Sequence, residues 1–67
     1  MSETALTRRE KQIRDMVVRG LTSPGIGMSL GISHRTVEDH RNQVLKKYNV
    51  RNAVELVRAV YGIGETA

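Results

Sequence analysis

The sequence predicts an all-α domain, a four-helix bundle that contains a helix-turn-helix. Four segments carry apolar residues at the spacing of one helical face, and a capping residue precedes each of them. No run of four or more alternating β-branched residues predicts a strand. With 67 residues and 39 % apolar side chains, we expect one domain over 1–67, with a core over about 5–62 and tails at 1–4 and 63–67.

The first helix is predicted over about 8–19. Thr7 and Glu10 have the spacing of a capping box, in which the hydroxyl accepts from the third amide and the carboxylate accepts from the amide of the cap. Gly20 suits the left-handed position that follows a last turn, and Leu21 can then fold back onto the helix. Local sequence therefore defines both ends of this helix.

The second helix is predicted over about 24–30, with Ser23 as its N-cap and Pro24 at the first helical position, where a missing N–H costs nothing. Gly25 and Gly27 each weaken this helix by about 0.5–1 kcal/mol relative to Ala. Tertiary packing must therefore hold it in place, and close approach of another helix is one reason for the glycine at position 27.

The third helix, the longest, is predicted over about 34–48. Ser33 is its expected N-cap, and Asn49 suits a left-handed cap at its end. Its apolar face contains Val37, His40, Val44 and Tyr48. The opposite face contains Glu38, Asp39, Asn42 and Lys46. This division predicts a helix with one face in the core and the other in solvent.

The fourth helix is predicted over about 53–61. Asn52 and Glu55 have the spacing of a second capping box, and Gly62 ends the helix. One apolar stripe consists of Ala53, Leu56, Val57 and Val60. A second face, which we expect to lie outside the core, consists of Val54, Arg58 and Tyr61.

The composition excludes several classes of function. The absence of cysteine excludes a disulfide framework, a thiolate nucleophile and a cysteine-ligated zinc. The absence of Trp and Phe, with only two Tyr, argues against a stacking platform for single-stranded nucleic acid. The longest uncharged stretch, 20–33, is too short to span a bilayer. No basic-then-apolar signal segment opens the chain, and we expect no membrane association.

No catalytic or metal site is predicted. His34 and His40 lie six residues apart, on different faces of the third helix, and no third ligand has helical spacing to either of them. The Gly25-x-Gly27 pair follows no strand and is not a nucleotide-binding fingerprint. No Ser, Lys or carboxylate pair has a recognisable base partner, so we expect neither an enzyme nor a cofactor.

The net charge of +4 points to a polyanionic partner, although a solvated charged surface explains it as well. Residues 1–20 carry a net charge of +2, 21–33 carry no charged residue, 34–51 carry +3 and 52–67 carry −1. The positive excess therefore lies in the first and third quarters of the chain.

The second helix, the turn 31–33 and the third helix have the spacing of a helix-turn-helix. Four apolar residues can meet inside this corner: Ile26, Leu30, Ile32 and Val37. That arrangement leaves the N-terminal half of the third helix facing outward, where a major groove can receive it. An ordinary corner in a small helical bundle has the same spacing, which leaves both interpretations open.

Several motifs, in order and at matching spacing, resemble the LuxR/GerE-type DNA-binding domain over roughly residues 5–62. They are Leu6-Thr7-x-Arg9-Glu10, Gly20-Leu21, Leu30-Gly31-Ile32-Ser33-x-x-Thr36-Val37-x-x-His40, Lys47 and Val50. The run from Arg35 to Arg41 and the later Glu55-Leu56-Val57-Arg58 are most similar to the FixJ branch of response-regulator output domains. The resemblance implies a bacterial transcription regulator whose third helix enters the major groove of double-stranded DNA.

The resemblance also implies a set of base-reading residues, Arg35, Glu38, Asp39 and Asn42. Arg35 can present a bidentate fork to guanine O6 and N7, and the two carboxylates can accept from cytosine N4. Stabilisation of the helix dipole is the alternative role of Glu38 and Asp39.

Phosphate contacts are expected from His34, Thr36, Arg41, Lys46 and Lys47. Of these, Thr36 and Lys47 match positions that hold phosphate in the family. The segment 23–27 departs from the family pattern, because the usual Asn-Lys-Glu-Ile-Ala is replaced by Ser-Pro-Gly-Ile-Gly. This chain therefore lacks the phosphate contact that the family lysine makes, and its second helix has a lower helix propensity.

The family implies a dimer through the fourth helix, and Val54, Arg58 and Tyr61 are its expected contacts. About ten residues are available there, so the dimer is expected to be weak. Tyr61 alternatively covers the edge of the core. RNA polymerase or another regulator is a further candidate partner, and a cytoplasmic, nucleoid-associated location is expected. The alternative function is a protein-interaction module of the same fold that has lost or weakened DNA binding.

Overall fold

The structure is a computed structural model that describes residues 5–62. This range forms four α-helices: α1 (Arg8–Val18), α2 (Ser23–Leu30), α3 (His34–Tyr48) and α4 (Ala53–Tyr61). The predicted all-α class with its helix-turn-helix is therefore confirmed. The predicted tails, 1–4 and 63–67, lie outside the described residues.

Helix α3 is the centre of the fold, because it packs against α1, α2 and α4, while α1 also packs against α4. The buried hydrophobic core draws on all four helices and consists of Leu6, Ile13, Val17, Ile26, Val37, Val44 and Leu56. The predicted corner residues Leu30 and Ile32 pack against this core from its edge. Three neighbours thus set the orientation of α3.

The caps of α1 and α3 agree with the predictions. The Glu10 amide donates to Thr7 Oγ1 at 3.1 Å, and the Thr7 amide donates to Glu10 Oε1 at 3.0 Å, which completes the capping box. Helix α1 ends at Val18, one residue earlier than predicted, and Arg19 is its C-cap. Helix α3 begins after Ser33 and ends before Asn49, which has a left-handed φ of 58°.

The predicted start of α2 is wrong by one residue. The N-cap is Thr22, whose Oγ1 accepts from the Gly25 amide at 3.3 Å, and Ser23 is the first helical residue. Ser23 is only 3 % exposed, and its hydroxyl accepts from Arg41 instead of capping the helix. The Ser23 side chain, which local sequence assigns to the cap, therefore forms a tertiary contact with α3 instead.

Only half of the predicted capping box of α4 forms. The Glu55 amide donates to Asn52 Oδ1 at 2.9 Å, but the Glu55 carboxylate accepts from the Arg51 amide, also at 2.9 Å, and not from that of Asn52. Asn52 has a φ of −154°, whereas Thr7 at the start of α1 has −76°. This rotation about N–Cα aims the peptide N–H of the cap in a different direction.

Gly27 allows a close approach, as predicted, although the nearest atom belongs to the turn and not to a helix. A Cβ at this position would lie 2.8 Å from the Ile32 carbonyl oxygen and 3.6 Å from a methyl group of Val37. Real Cβ atoms essentially never approach an atom so closely. The glycine therefore fits α2 against the turn and the start of α3, which fixes the helix-turn-helix corner.

Candidate nucleic-acid interface

The N-terminal half of α3 presents a charged outer face. Val37 and Val44 point into the core, and the helical repeat of 3.6 residues per turn places the opposite residues in solvent. The four predicted base-reading residues, Arg35, Glu38, Asp39 and Asn42, are all exposed. The Arg35 side chain is 83 % exposed, so nothing in the described fold covers it.

A hydrogen bond and an ion pair, each between residues four apart, cross this outer face. His34 Nε2 lies 3.1 Å from Glu38 Oε2, and Arg35 Nε lies 3.6 Å from Asp39 Oδ1. Sequence reasoning missed both pairs, although the spacing of four was a signal that could have found them. Exposed pairs of this kind contribute about 0.3–0.5 kcal/mol, so a ligand can separate them at little cost.

A shallow cleft of about 260 Å³ runs along the same side of α3, lined by Glu38, Arg41, Asn42 and Leu45. Arg41 is half-buried here, and its Nη1 donates to Ser23 Oγ at 3.0 Å across the boundary with α2. The guanidinium thus borders both the cleft and the first turn of α2.

Lys47 is bound to α1 and to the segment just before it. Its Nζ donates to Glu10 Oε1 at 2.8 Å and to the Ala5 carbonyl at 3.1 Å. Glu10 is 5 % exposed, and its pKa lies below the ordinary value because Lys47 and the Thr7 amide donate to it, while burial opposes this shift. The pair joins α1 to α3, and no sequence signal links residues so far apart.

The other predicted phosphate ligands differ in their surroundings. Lys46 is exposed at the last turn of α3. Thr36 is half-buried, its amide donates to the capping Ser33 Oγ at 3.1 Å, and its own Oγ1 accepts from that hydroxyl at 2.9 Å. Thr36 is therefore held at the N-terminus of α3.

A second contact between α1 and α3 was also missed from the sequence. Arg14 Nη1 donates to the Tyr48 hydroxyl at 3.1 Å, and Arg14 Nε donates to Asp15 at 3.0 Å. The hydrogen bond to Tyr48 is the main reason that the pKa of Arg14 is raised. Together with the Glu10–Lys47 pair, this contact fixes the C-terminal half of α3 against α1.

Helix α4 leaves one face uncovered. Val54 and Tyr61 are each 63 % exposed, and Arg58 between them is exposed as well. Most of the Tyr61 surface is therefore in solvent and available for contact with a partner. The three side chains lie at positions i, i+4 and i+7, on a single helical face.

Within the described range 5–62, no group of three His, Cys, Asp or Glu residues is placed to hold a metal ion. His34 pairs with Glu38 on the outer face of α3, whereas His40 lies half-buried on another face. In the same part of the chain, no helix is long and apolar enough to cross a membrane.

A helix-turn-helix with an exposed, charged second helix defines a class of DNA-binding domains. The sequence model of the bacterial regulatory proteins of the luxR family, GerE, matches residues 4–60. The chain therefore belongs to the LuxR family. The family consists of DNA-binding transcription regulators and not of enzymes, and the predicted resemblance, including that to FixJ, is confirmed.

The relatives include several response regulators. The chain is 35 % identical over 63 residues to the uncharacterized response regulatory protein YgeK of Escherichia coli K12, which covers 94 % of this chain and 43 % of that protein. It is 38 % identical over 56 residues to the transcriptional regulatory protein UhpA of the same organism, and the match covers 84 % of this chain and 29 % of UhpA. It is 43 % identical over 53 residues to the transcriptional regulatory protein FixJ of Azorhizobium caulinodans, and the match covers 79 % of this chain and 25 % of FixJ.

Among solved structures, that of the response regulator StyR superposes with a TM-score of 0.83 at 40 % identity, covering 87 % of this chain and 29 % of that one. The chain therefore spans less than half the length of each of these relatives.

Proposed function

We propose that this chain binds double-stranded DNA sequence-specifically, as the DNA-reading part of a bacterial transcription regulator in the cytoplasm, with α3 in the major groove. The observation that carries the proposal is the exposed, charged N-terminal half of α3, on a helix whose inner face is held by three neighbours. A recognition helix needs both properties, because base contacts require exposed side chains in a fixed frame.

Base reading falls to Arg35, Glu38, Asp39 and Asn42. Arg35 donates a bidentate fork to guanine O6 and N7, and the carboxylate of Glu38 or Asp39 accepts from cytosine N4. The Arg35 guanidinium lies 3.6 Å from Asp39 on the outer face, and this weak, exposed pair can open when DNA binds. A bidentate contact of this kind discriminates against a wrong base by about 1–3 kcal/mol.

Phosphate binding falls to residues on the two flanks of α3. His34 and Arg41 lie on the side of α2, and Thr36 and Lys47 lie on the other side. The two backbone strands of a major groove run along both flanks of an inserted helix, so contacts on both sides set its register. Lys46 adds an exposed cation at the end of the helix. Lys47 keeps its ion pair with Glu10, and this pair fixes the position of the Lys47 ammonium group.

Two copies are proposed to bind together through the exposed face of α4. Val54 and Tyr61 supply apolar area, and Arg58 supplies a polar contact on the same face. A face of one nine-residue helix is smaller than a standard protein interface, so the dimer forms on DNA and is weak in its absence. Two-fold symmetry then requires pseudo-palindromic half-sites about one helical turn apart. RNA polymerase or another regulator is proposed as a further partner.

The test is a selection of bound sequences from a random duplex pool, followed by titration of the selected duplex at several salt concentrations. We expect one enriched pair of half-sites, and an affinity that falls steeply with salt. The Arg35→Ala variant is expected to lose the preference at one guanine while it keeps the other positions. A variant that retains full sequence discrimination would remove Arg35 from base reading, and an affinity independent of salt would contradict the phosphate contacts.

A protein-interaction module is the second candidate function. The observation that favours it is α2, where residues 21–33 carry no charged side chain and Met28 is 85 % exposed. A gel shift with random genomic DNA at low salt separates the two candidates. A small basic DNA-binding domain retains such DNA, whereas the absence of any retention supports the interaction module.

A further inference from the structure

We infer that Ser23 is a positioning residue for DNA binding, which holds the Arg41 guanidinium at the start of α2 as a phosphate contact on that flank. The inference rests on the proposed function, since it requires α3 in the major groove. It assigns a role to a buried serine that neither caps a helix nor faces a ligand.

Burial and hydrogen bonding identify the role of Ser23. The residue is 3 % exposed, and its Oγ accepts from Arg41 Nη1 at 3.0 Å. Thr22 caps α2 in its place, so the Ser23 hydroxyl is released from the task that local sequence predicts for it. A buried hydroxyl that accepts from a guanidinium restricts a long side chain, which otherwise samples many rotamers.

The position of Arg41 suits a phosphate contact. A Cβ at Gly27 of α2 would touch both Val37 and the His34 amide, so this side of α3 packs against α2. Arg41 lies one turn after Val37 and therefore on the same side. Lys47, which donates to Glu10 of α1, lies about 120° around α3 from Arg41, on the other flank of the helix. Arg41 therefore occupies one flank of the recognition helix, at the first turn of α2.

The charge distribution gives Arg41 a particular importance on this flank. Residues 21–33 carry no charged side chain, so α2 itself offers no cation to the DNA backbone. A guanidinium carries five N–H donors in a fixed fork. Ser23 accepts from one terminal nitrogen, and the group also lines the open cleft beside Glu38 and Asn42, where its other donors can meet a phosphate.

The experiment measures the affinity of the 67-residue chain for a random-sequence duplex by fluorescence anisotropy, at salt concentrations from about 50 to 200 mM. A random duplex is the right probe because phosphate contacts do not depend on sequence. We expect Ser23→Ala to weaken binding roughly three- to tenfold, the range expected when one long side chain must be immobilised only on binding. Ser29→Ala, at an exposed serine of the same helix, is the matched control and is expected to leave the affinity unchanged.

A double-mutant cycle separates positioning from a merely structural role. Arg41→Ala is expected to weaken binding and to reduce the salt slope by about one. In the Arg41→Ala background, Ser23→Ala is expected to have no further effect on affinity, because no guanidinium remains to be positioned. Thermal unfolding followed by circular dichroism establishes that each variant is folded, and Ser23→Cys under reducing conditions replaces Ser23→Ala if the latter unfolds.

Two results overturn the inference. One is an unchanged affinity in folded Ser23→Ala or Ser23→Cys, and the other is an equal loss with and without Arg41. Failure of the proposed function gives a different result. If the wild-type chain binds the random duplex but enriches no sequence from the pool, specific recognition is refuted. The coupling between Ser23 and Arg41 can still be measured in that case. A wild-type chain that does not bind DNA at low salt overturns both.

Discussion

Replacement of Glu10 by glutamine tests how strongly one ion pair holds α3 against α1. Glu10 Oε1 accepts from Lys47 Nζ at 2.8 Å and from the Thr7 amide at 3.0 Å. Glutamine keeps the shape and an acceptor but removes the negative charge. Hydrogen bonds to charged groups contribute about 1.5–3 kcal/mol. Because the Lys47 side chain is 32 % exposed and water can solvate its freed ammonium, we expect a loss of about 1–2 kcal/mol.

The loss of stability caused by Glu10→Gln should become smaller as the pH falls. The pKa of Glu10 lies below its ordinary value of 4.5, chiefly because Lys47 donates to the carboxylate. A carboxyl whose pKa is lowered on folding stabilises the fold fully above the unfolded pKa, and this stabilisation disappears as the pH falls through the folded pKa. The difference in unfolding free energy between wild type and Glu10→Gln should therefore be constant near neutrality and close in acid.

Urea denaturation followed by circular dichroism, at about pH 7 and about pH 3, measures this difference. Glu55→Gln is the control, because among the described residues the Glu55 carboxylate accepts from the nearby Arg51 amide alone, at 2.9 Å, and joins no second helix. We expect the control to change stability by less than about 0.5 kcal/mol. Equal stability of wild type and Glu10→Gln at neutral pH, or a gap that stays open in acid, would refute the ion pair as the tie between the helices.

The remaining predictions concern α2 and α4. Gly27→Ala places a Cβ 2.8 Å from the Ile32 carbonyl oxygen and should destabilise the fold by about 1–3 kcal/mol, whereas Gly25→Ala meets only the Thr22 hydroxyl at 3.4 Å and should stabilise it by up to about 1 kcal/mol. Thermal melts of both variants measure this contrast, and equal effects would contradict the close approach at Gly27. Tyr61→Ala should leave the melting temperature nearly unchanged, because the side chain is 63 % exposed, but it should weaken binding to a duplex with two half-sites more than to one with a single half-site. Equal weakening on both duplexes would remove α4 from dimer formation.

The helices and their faces could be predicted because their causes are local. The capping box joins Thr7 and Glu10, which are three positions apart, and the left-handed end at Asn49 follows from that residue and its immediate neighbours. The exposure of Arg35 and Asp39 follows from the helical repeat, since both lie opposite Val37. For the same reason, the four base-reading candidates could be named before their surroundings were known.

The side chains that tie the helices together could not be predicted in this way. Glu10 and Lys47 lie 37 residues apart, and Ser23 and Arg41 lie 18 apart, so neither pair has a periodic signal. Local propensity assigns Ser23 to the cap, because a serine before a proline is a good helix start. Packing of α2 on α3 instead buries that hydroxyl beside Arg41. Helix type and exposed face thus depend on neighbours within one turn, whereas the partners of Glu10, Lys47, Ser23 and Arg41 depend on how distant helices meet.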